Sequence, residues 1–499
     1  SGVALAGVYG SGTASVVLDD LAHADLVVVA GANPASNHPR LITQLVKLRR
    51  RGGRVIVINP LRELGLVRFR VPSDWRSMLF GSTISDLYLQ PHIASDVSLF
   101  KGLLKALVEN DAVDRDYIDA HTGGWDAVEA DVSAESWDDL SAESGLARDQ
   151  MERAAAMIAG AKRGVLCWAM GLTQHAHGAD NIRALANLAL ARGWLGRSGC
   201  GLLPIRGHSN VQGVGSVGVK PALREAFARK MRETYGVEVP SRPGWDTYQS
   251  MVAAQEGRVK AAFFLGGNLL GSNPDRSWAQ TALCNVPVSV HVSTKLNEGH
   301  IHGRGRTLLV LPALARDEET QSTSQESMFN YVRLSEGGSP SVEGEMRSEV
   351  DIIADFAARV LPEGRFDWSR LRSHRHLRET IARVVPGYAA AATIDTGGGE
   401  FQIDARTFHE PRFRTDDGRA RFHITPRPAF APGAGEFRLM TLRSEGQFNT
   451  VVYDEEDLYR GNSRRDVVMM SRATSTLRSW DGIGPPAHEQ HKASPLPGD

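Results

Sequence analysis

The feature that most constrains this chain is an unbroken apolar run closed by glycine, which occurs twice with the same sequel. Residues 25–31 (DLVVVAG) are apolar from Leu26 to Ala30, without the alternation of a half-exposed strand. A strand of that kind is buried on both faces, as in a parallel sheet. The loop 32–38 follows, and Pro39 suits the first turn of a helix carrying Leu41, Leu45 and Leu48 on one face. Gly52 and Gly53 stop that helix, and residues 54–58 (RVIVI) form the next strand, closed by Asn59-Pro60. The spacing predicts a right-handed βαβ unit. Residues 259–266 (VKAAFFLG), a helix after Pro274-Asp275, and a strand over 286–292 (VPVSVHV) predict a second unit of the same design, with 307–311 (TLLVL) extending its sheet. The two loops read GANPASNHP and GGNLLGSNP, each with Asn two positions after the strand-end glycine.

A strand-end glycine at the carboxyl edge of a parallel sheet lets backbone approach a pyrophosphate, and the following helix offers free N–H groups to an anion. A single such loop is as often a mere tight turn, whereas two matching loops point to a ligand with two similar halves. A nicotinamide-dependent dehydrogenase is the weaker reading. Neither loop has GxGxxG spacing, and Asn59 stands where a ribose-binding acid belongs.

Elsewhere, residues 98–108, 147–160 and 179–192 are expected as helices and 164–169 (GVLCWA) as a strand. The segment 170–178 (MGLTQHAHG) places Thr173, Gln174, His175 and His177 in a loop between strand and helix. A metal reading of that H-x-H, or of His300/His302 and His488/His491, lacks further ligands, so solvated polar side chains are the default. Residues 204–213 (PIRGHSNVQG) set Arg206 before His208, Ser209, Asn210 and Gln212. A guanidinium there can hold a small anion, although a structural salt bridge is the commoner fate of arginine. Residues 345–385 read as helical and charged, 386–400 as a linker, 420–445 as short strands and 471–499 as an aperiodic tail.

The bulk numbers set the limits. A chain of 499 residues exceeds one core, so several domains are expected. A formal net charge of −1 favours neither nucleic acid nor an anionic membrane, and no apolar run is long enough for a membrane span. The three cysteines, Cys167, Cys200 and Cys284, make no C-x-x-C pair. Their scarcity fits a reducing, cytoplasmic compartment, and export to the periplasm of an already folded chain is compatible with it too.

Taken in order, GANPASNHP, INPLR, MGLTQH, PIRGHSNVQG, LGGN and RSEGQFNT resemble the molybdopterin oxidoreductases of the dimethyl-sulfoxide-reductase superfamily. Within it the chain is most similar to formate-dehydrogenase-like alpha (molybdopterin) subunits, from about residue 1 to about residue 470. The resemblance implies an α/β chain with two pseudo-symmetric Rossmann-like doubly wound domains, over 1–206 and 207–335. A helical connecting region (336–430), the start of a C-terminal β-barrel-like domain (431–470) and the irregular tail would follow. It implies bis(molybdopterin guanine dinucleotide) carrying molybdenum, or tungsten in its place. Gly31, Asn33, Asn37, Asn59 and Leu61, with Asp96 nearby, would contact one dinucleotide; Gly266, Asn268, Asp275, Ser293 and Lys295 would contact the other. Met170, Gly171, Thr173 and Gln174 would line the cleft, and Arg443, Gln447 and Thr450 would face the cofactor. Arg206 matches the arginine that orients substrate at the metal, a small molecule with formate as first expectation. The branch's metal ligand lies upstream of the stretch matching residues 1–5, so the chain is expected to be a piece, incomplete at both ends and supplying no metal ligand. A 4Fe-4S cluster, where relatives have one, belongs to that upstream region, and an electron-transfer partner subunit is implied. The alternative is a cofactor-free scaffold of the same fold within an electron-transfer complex.

Overall fold

The computed structural model describes residues 1–469 except 342, 362–363, 365, 429–432, 434–435, 445–446, 448–453 and 459. Thr450 and the tail 471–499 therefore lie outside the described residues. The chain packs as two compact units, one of Ser1–Asp246 with Ala313–Leu439, the other of Thr247–Pro312 with the described residues from Met440 onward.

In the first unit, β1 (Leu26–Ala30), β2 (Arg54–Ile58), β3 (Leu87–Leu89), β4 (Gly164–Trp168) and β5 (Gly201–Pro204) form a parallel sheet in the order β3-β2-β1-β4-β5. The central strand is buried at every position, which is why it shows no polar alternation. Its side chains divide by parity. Leu26, Val28 and Ala30 join a core with Ile56, Leu166 and Trp168, whereas Val27 and Val29 join another with Val55, Val57 and Cys167. The first core is roofed by α1 (Gly2–Tyr9), α3 (Asp96–Glu109), α4 (Arg148–Ala159) and α5 (Gly178–Ala191); the second by α2 (Pro39–Arg50). Helix α2 begins on Pro39, buries Leu41, Ile42, Leu45, Val46 and Leu48, and ends on Lys47, Arg49 and Arg50, as its apolar stripe and dipole require. Strand order reverses between β1 and β4, so their carboxyl ends flank a topological switch point.

The second unit holds three parallel strands, β6 (Ala261–Leu265), β7 (Val288–Ser293) and β8 (Thr307–Pro312), in the order β8-β7-β6. Helices α6 (Thr247–Gln255) and α7 (Arg276–Cys284) share a small core with Ala262 and Phe264, while Leu265 and Leu309 on alternate positions are about half exposed.

Several elements differ from the sequence expectation. A three-stranded antiparallel sheet joins β9 (Thr323–Glu326), β10 (Tyr331–Ser335) and β11 (Glu400–Gln402). β9 reads TSQE, with no apolar signal, and is held by pairing with β10. Residues 345–385 resolve into α8 (Glu349–Val360) and α9 (His374–Val384). Among the described residues of 420–445, strand is confined to Ala420–Arg421, which pairs with Thr122–Gly123. No described helix is long and apolar enough to cross a membrane.

Leu166 is fully buried between the β4 neighbours and the helical roof. Truncation there removes several methyl groups from a packed site. L166A should lower unfolding free energy by about 2–5 kcal/mol in chemical denaturation.

Candidate functional site

At the switch point, two glycines meet backbone to backbone. Gly31 follows β1 with φ 53° and donates its N–H to the Ile58 carbonyl at 2.9 Å. Its own carbonyl accepts from Gly171 N at 3.0 Å. A Cβ on Gly31 would lie 2.4 Å from Leu172 Cδ1 and 2.8 Å from Leu172 N; one on Gly171 would lie 2.6 Å from the Gly31 carbonyl oxygen. Only glycine at both positions allows this approach. Met170 is more than half exposed beside it, Thr173 Oγ1 donates to the Met170 carbonyl at 3.4 Å, and Gln174 is exposed.

The asparagines of this edge shape their own turns. Asn33 Oδ1 accepts from Ser36 N at 3.4 Å, and Asn37 Nδ2 donates to the Asn33 carbonyl at 3.3 Å. Asn59 Oδ1 accepts from Leu61 N at 3.0 Å, and the Leu61 carbonyl accepts from Tyr88 Oη at 2.7 Å. Beneath the 170–178 loop, Asn181 Nδ2 donates to the Leu172 carbonyl at 2.9 Å, lies 2.7 Å from His175 Nε2 and is 3.5 Å from Asp96 Oδ2. Burial pushes the Asp96 carboxyl up to about 6 and lowers the His175 imidazole below its ordinary value. At neutral pH their 3.8 Å contact therefore joins a carboxylate to a neutral ring. Asn181 was not singled out in the sequence, where its only signal is its place in the first turn of α5.

Arg206 extends from the end of β5. Its Nη2 donates to the Gly12 carbonyl at 3.1 Å, and its buried Nε has no hydrogen-bond partner. Glu326 and the buried Tyr9 are its charged and titratable neighbours. Glu326 is held by Gln212 Nε2 at 2.6 Å and by the Tyr388 hydroxyl. Gly207 sets this loop beside Asn37, since its Cβ position is 3.4 Å from His38 Nε2 and 3.9 Å from the Asn37 carbonyl oxygen.

In the second unit the strand-end glycine and the asparagine recur, although the space beside Gly266 is open. Gly266 has φ 68° and donates to the Val292 carbonyl at 2.8 Å, and Asn268 Oδ1 accepts from Gly271 N at 2.9 Å. The asparagine two residues past the strand-end glycine thus accepts from the N–H three residues on, in both loops. Asp275 caps α7 through Trp278 N at 2.9 Å. His300 Nδ1 accepts from Asn297 N at 3.1 Å, which leaves Nε2 to donate to Ser293 Oγ at 3.2 Å. Lys295 is exposed. Arg443, which is exposed, donates from Nε to the Gln447 carbonyl at 2.7 Å. Among the described residues no group of three His, Cys, Asp or Glu is placed to hold a metal ion.

The family model for molybdopterin oxidoreductases matches residues 3–358. An uncharacterized oxidoreductase of Mycobacterium tuberculosis is 37% identical over 496 residues, 95% of this chain and 63% of that protein. The alpha subunit of an F420-dependent formate dehydrogenase from Methanocaldococcus jannaschii is 23% identical over 427 residues, 83% of this chain and 59% of that protein. The solved structure of acetylene hydratase from Pelobacter acetylenicus superposes with a TM-score of 0.57 at 16% identity, covering 84% of this chain and 57% of that one. The chain belongs to the molybdopterin oxidoreductase family, and its parallel α/β architecture is the fold of that family. It spans less than two thirds of the M. tuberculosis relative's length.

Two predictions follow from the geometry of the first edge. G171A should cost about 1–3 kcal/mol of stability, because its methyl group cannot be accommodated without separating β1 from the 170–172 turn; denaturation midpoints measure this. Asp96 binds its proton more readily folded than unfolded. The stability this confers is complete below pH 4 and is lost as pH rises through about 6. Relative to D96N, the wild type should therefore lose on the order of 2–3 kcal/mol between pH 4 and pH 7, read from paired denaturation curves across that range.

Proposed function

We propose that this chain is the cofactor-bearing part of a molybdenum oxidoreductase that binds bis(molybdopterin guanine dinucleotide), with tungsten able to stand in for molybdenum. The carrying observation is the repeated strand-end loop: Gly31 and Gly266 share a positive φ, and Asn33 and Asn268 each accept from the N–H three residues on. Family membership implies a molybdopterin, and two like loops suit two like nucleotides. The residues fit such a group. Gly31 and Gly171 bring two strand-end turns together at the switch point, and Arg206 keeps an unpartnered buried Nε.

When bound, the pterin-held metal supplies the two-electron redox chemistry. The chain's part is to bind and orient. Gly31, Asn33, Asn37, Asn59 and Leu61 would hold one dinucleotide, with Asp96 bracing the 172–175 turn from below through Asn181. Gly266, Asn268, Asp275, Ser293 and Lys295 would hold the other. Met170, Gly171, Thr173 and Gln174 would line the approach. Arg206 stays cationic despite burial and would fix a small substrate by charge-assisted hydrogen bonds, formate being the first choice. A partner subunit would carry the electrons away. A cofactor-free scaffold is the second reading, favoured by the fact that Asn33, Asn59, Asn268 and Asp275 already bond within their own turns.

Metal and guanine-nucleotide content decides between them, measured on the full-length parent protein expressed in a host that makes the cofactor. Molybdenum or tungsten near one per chain, with about two guanine nucleotides, is the expected result. Well-folded protein containing neither would overturn the redox reading in favour of the scaffold.

A further inference from the structure

The loop that follows α1 carries guanidinium groups on two successive residues. Arg206 Nη2 donates to the Gly12 carbonyl at 3.1 Å, and Arg406 Nη1 donates to Thr13 Oγ1 at 3.4 Å. Each of these arginines is partly buried, and each has a buried Nε without a hydrogen-bond partner. Arg414 lies next to Arg406. Its guanidinium donates to the Ala405 carbonyl, its N–H donates to the Tyr9 carbonyl at 3.2 Å, and its backbone presses on Gly10. Lys220 and Arg224, both exposed, complete the group. Burial lowers the pKa of Lys220, Arg406 and Arg414, and repulsion within the group lowers each further: Arg224 and Arg406 act on Lys220, Arg224 on Arg406, and Arg406 and Arg224 on Arg414.

None of these five basic side chains forms an ion pair among the described residues. Glu326 is the carboxylate that faces both Arg206 and Arg406, and its oxygens already accept from Gln212 and Tyr388. Tyr9 and Tyr388, the other titratable groups there, are buried phenols whose pKa values are raised, so they stay neutral. Five cations set against the one carboxylate of Glu326 leave a surplus of positive charge, and a bound anion offsets it. Two planar guanidinium forks offering unsatisfied N–H groups match a carboxylate in shape as well as charge.

We propose that Arg406 acts with Arg206 as the second guanidinium of a binding site for a small carboxylate, approached past Lys220, Arg224 and Arg414. The inference rests on the reading above for Arg206 as the substrate arginine, and it adds Arg406 as a second guanidinium that grips the substrate. Occupancy of the site does not require the cofactor.

Isothermal titration of the purified full chain with sodium formate, at ionic strength fixed with sodium chloride, tests this. The wild type should bind formate saturably, with one site per chain. R406Q should weaken binding at least about tenfold, the loss of one charged hydrogen-bonding partner, and R406K should restore part of it. The exposed pair variant K220Q/R224Q, which leaves the core intact, should weaken binding roughly threefold at low salt and less at high salt. No saturable binding by the wild type, or wild-type affinity in folded R406Q, would overturn the proposal. Should R406Q fail to fold, an unchanged low-salt affinity in K220Q/R224Q does so instead. Metal analysis of the same samples separates the two readings. Molybdenum without formate binding sinks the carboxylate site alone, and formate binding without molybdenum sinks the redox reading alone.

Discussion

Backbone-to-backbone contact between Gly31 and Gly171 fixes the edge on which the first unit's chemistry would depend. The 3.0 Å hydrogen bond from Gly171 N to the Gly31 carbonyl continues the β1–β4 ladder past the last strand residues. Because neither residue has a side chain, the two turns leave the sheet in contact and then diverge, one toward Asn33 and α2, the other toward Thr173 and α5. The two cores on either side of β1 hold that contact in place, since the parity of its apolar residues ties both helical layers to the same five positions. The stiffness of this sheet edge comes from a strand with no exposed face.

Polar groups around that edge are placed according to what each environment tolerates. Asp96, buried at the start of α3, meets Asn181 and a neutral His175 rather than a cation, so its charge is expensive and its proton is retained to higher pH than usual. Beyond β5 the opposite holds: Arg206 and Arg406 share one carboxylate that is already engaged. The unit therefore carries a strained negative group at one place and a surplus of positive ones at another.

The sequence made legible what depends on local pattern. The doubly buried strands appear as unbroken apolar runs, and positive-φ glycines appear as Gly31 and Gly266 where strand gives way to loop. The equivalence of Asn33 and Asn268 was readable because an asparagine that accepts from an N–H three residues on is a local device. What stayed hidden depends on partners far along the chain. β9 is polar and owes its extension to β10; Asn181 gains its role from Asp96 and Leu172; Arg406 gains its role from Thr13. No periodicity in one segment reports a neighbour supplied by another, and the single pair of strand residues at Ala420–Arg421 is too short to leave a pattern.

The first helix has a further consequence for how the chain is made. α1 is covered by residues from the far end of its unit: Arg414 N donates to the Tyr9 carbonyl, His423 Nε2 lies 3.2 Å from the Gly7 carbonyl oxygen, and Phe413, Ala420 and Phe422 belong to its core. During synthesis the helix emerges long before its cover, with the whole of Thr247–Pro312 produced in between. The apolar face formed by Leu5 and Val8 must then wait, at ribosomal rates of about 5–20 residues per second, for tens of seconds before it can close. Over that interval a chaperone has a defined segment to shield, and the order of translation rather than the strength of the final contacts sets how long it is at risk.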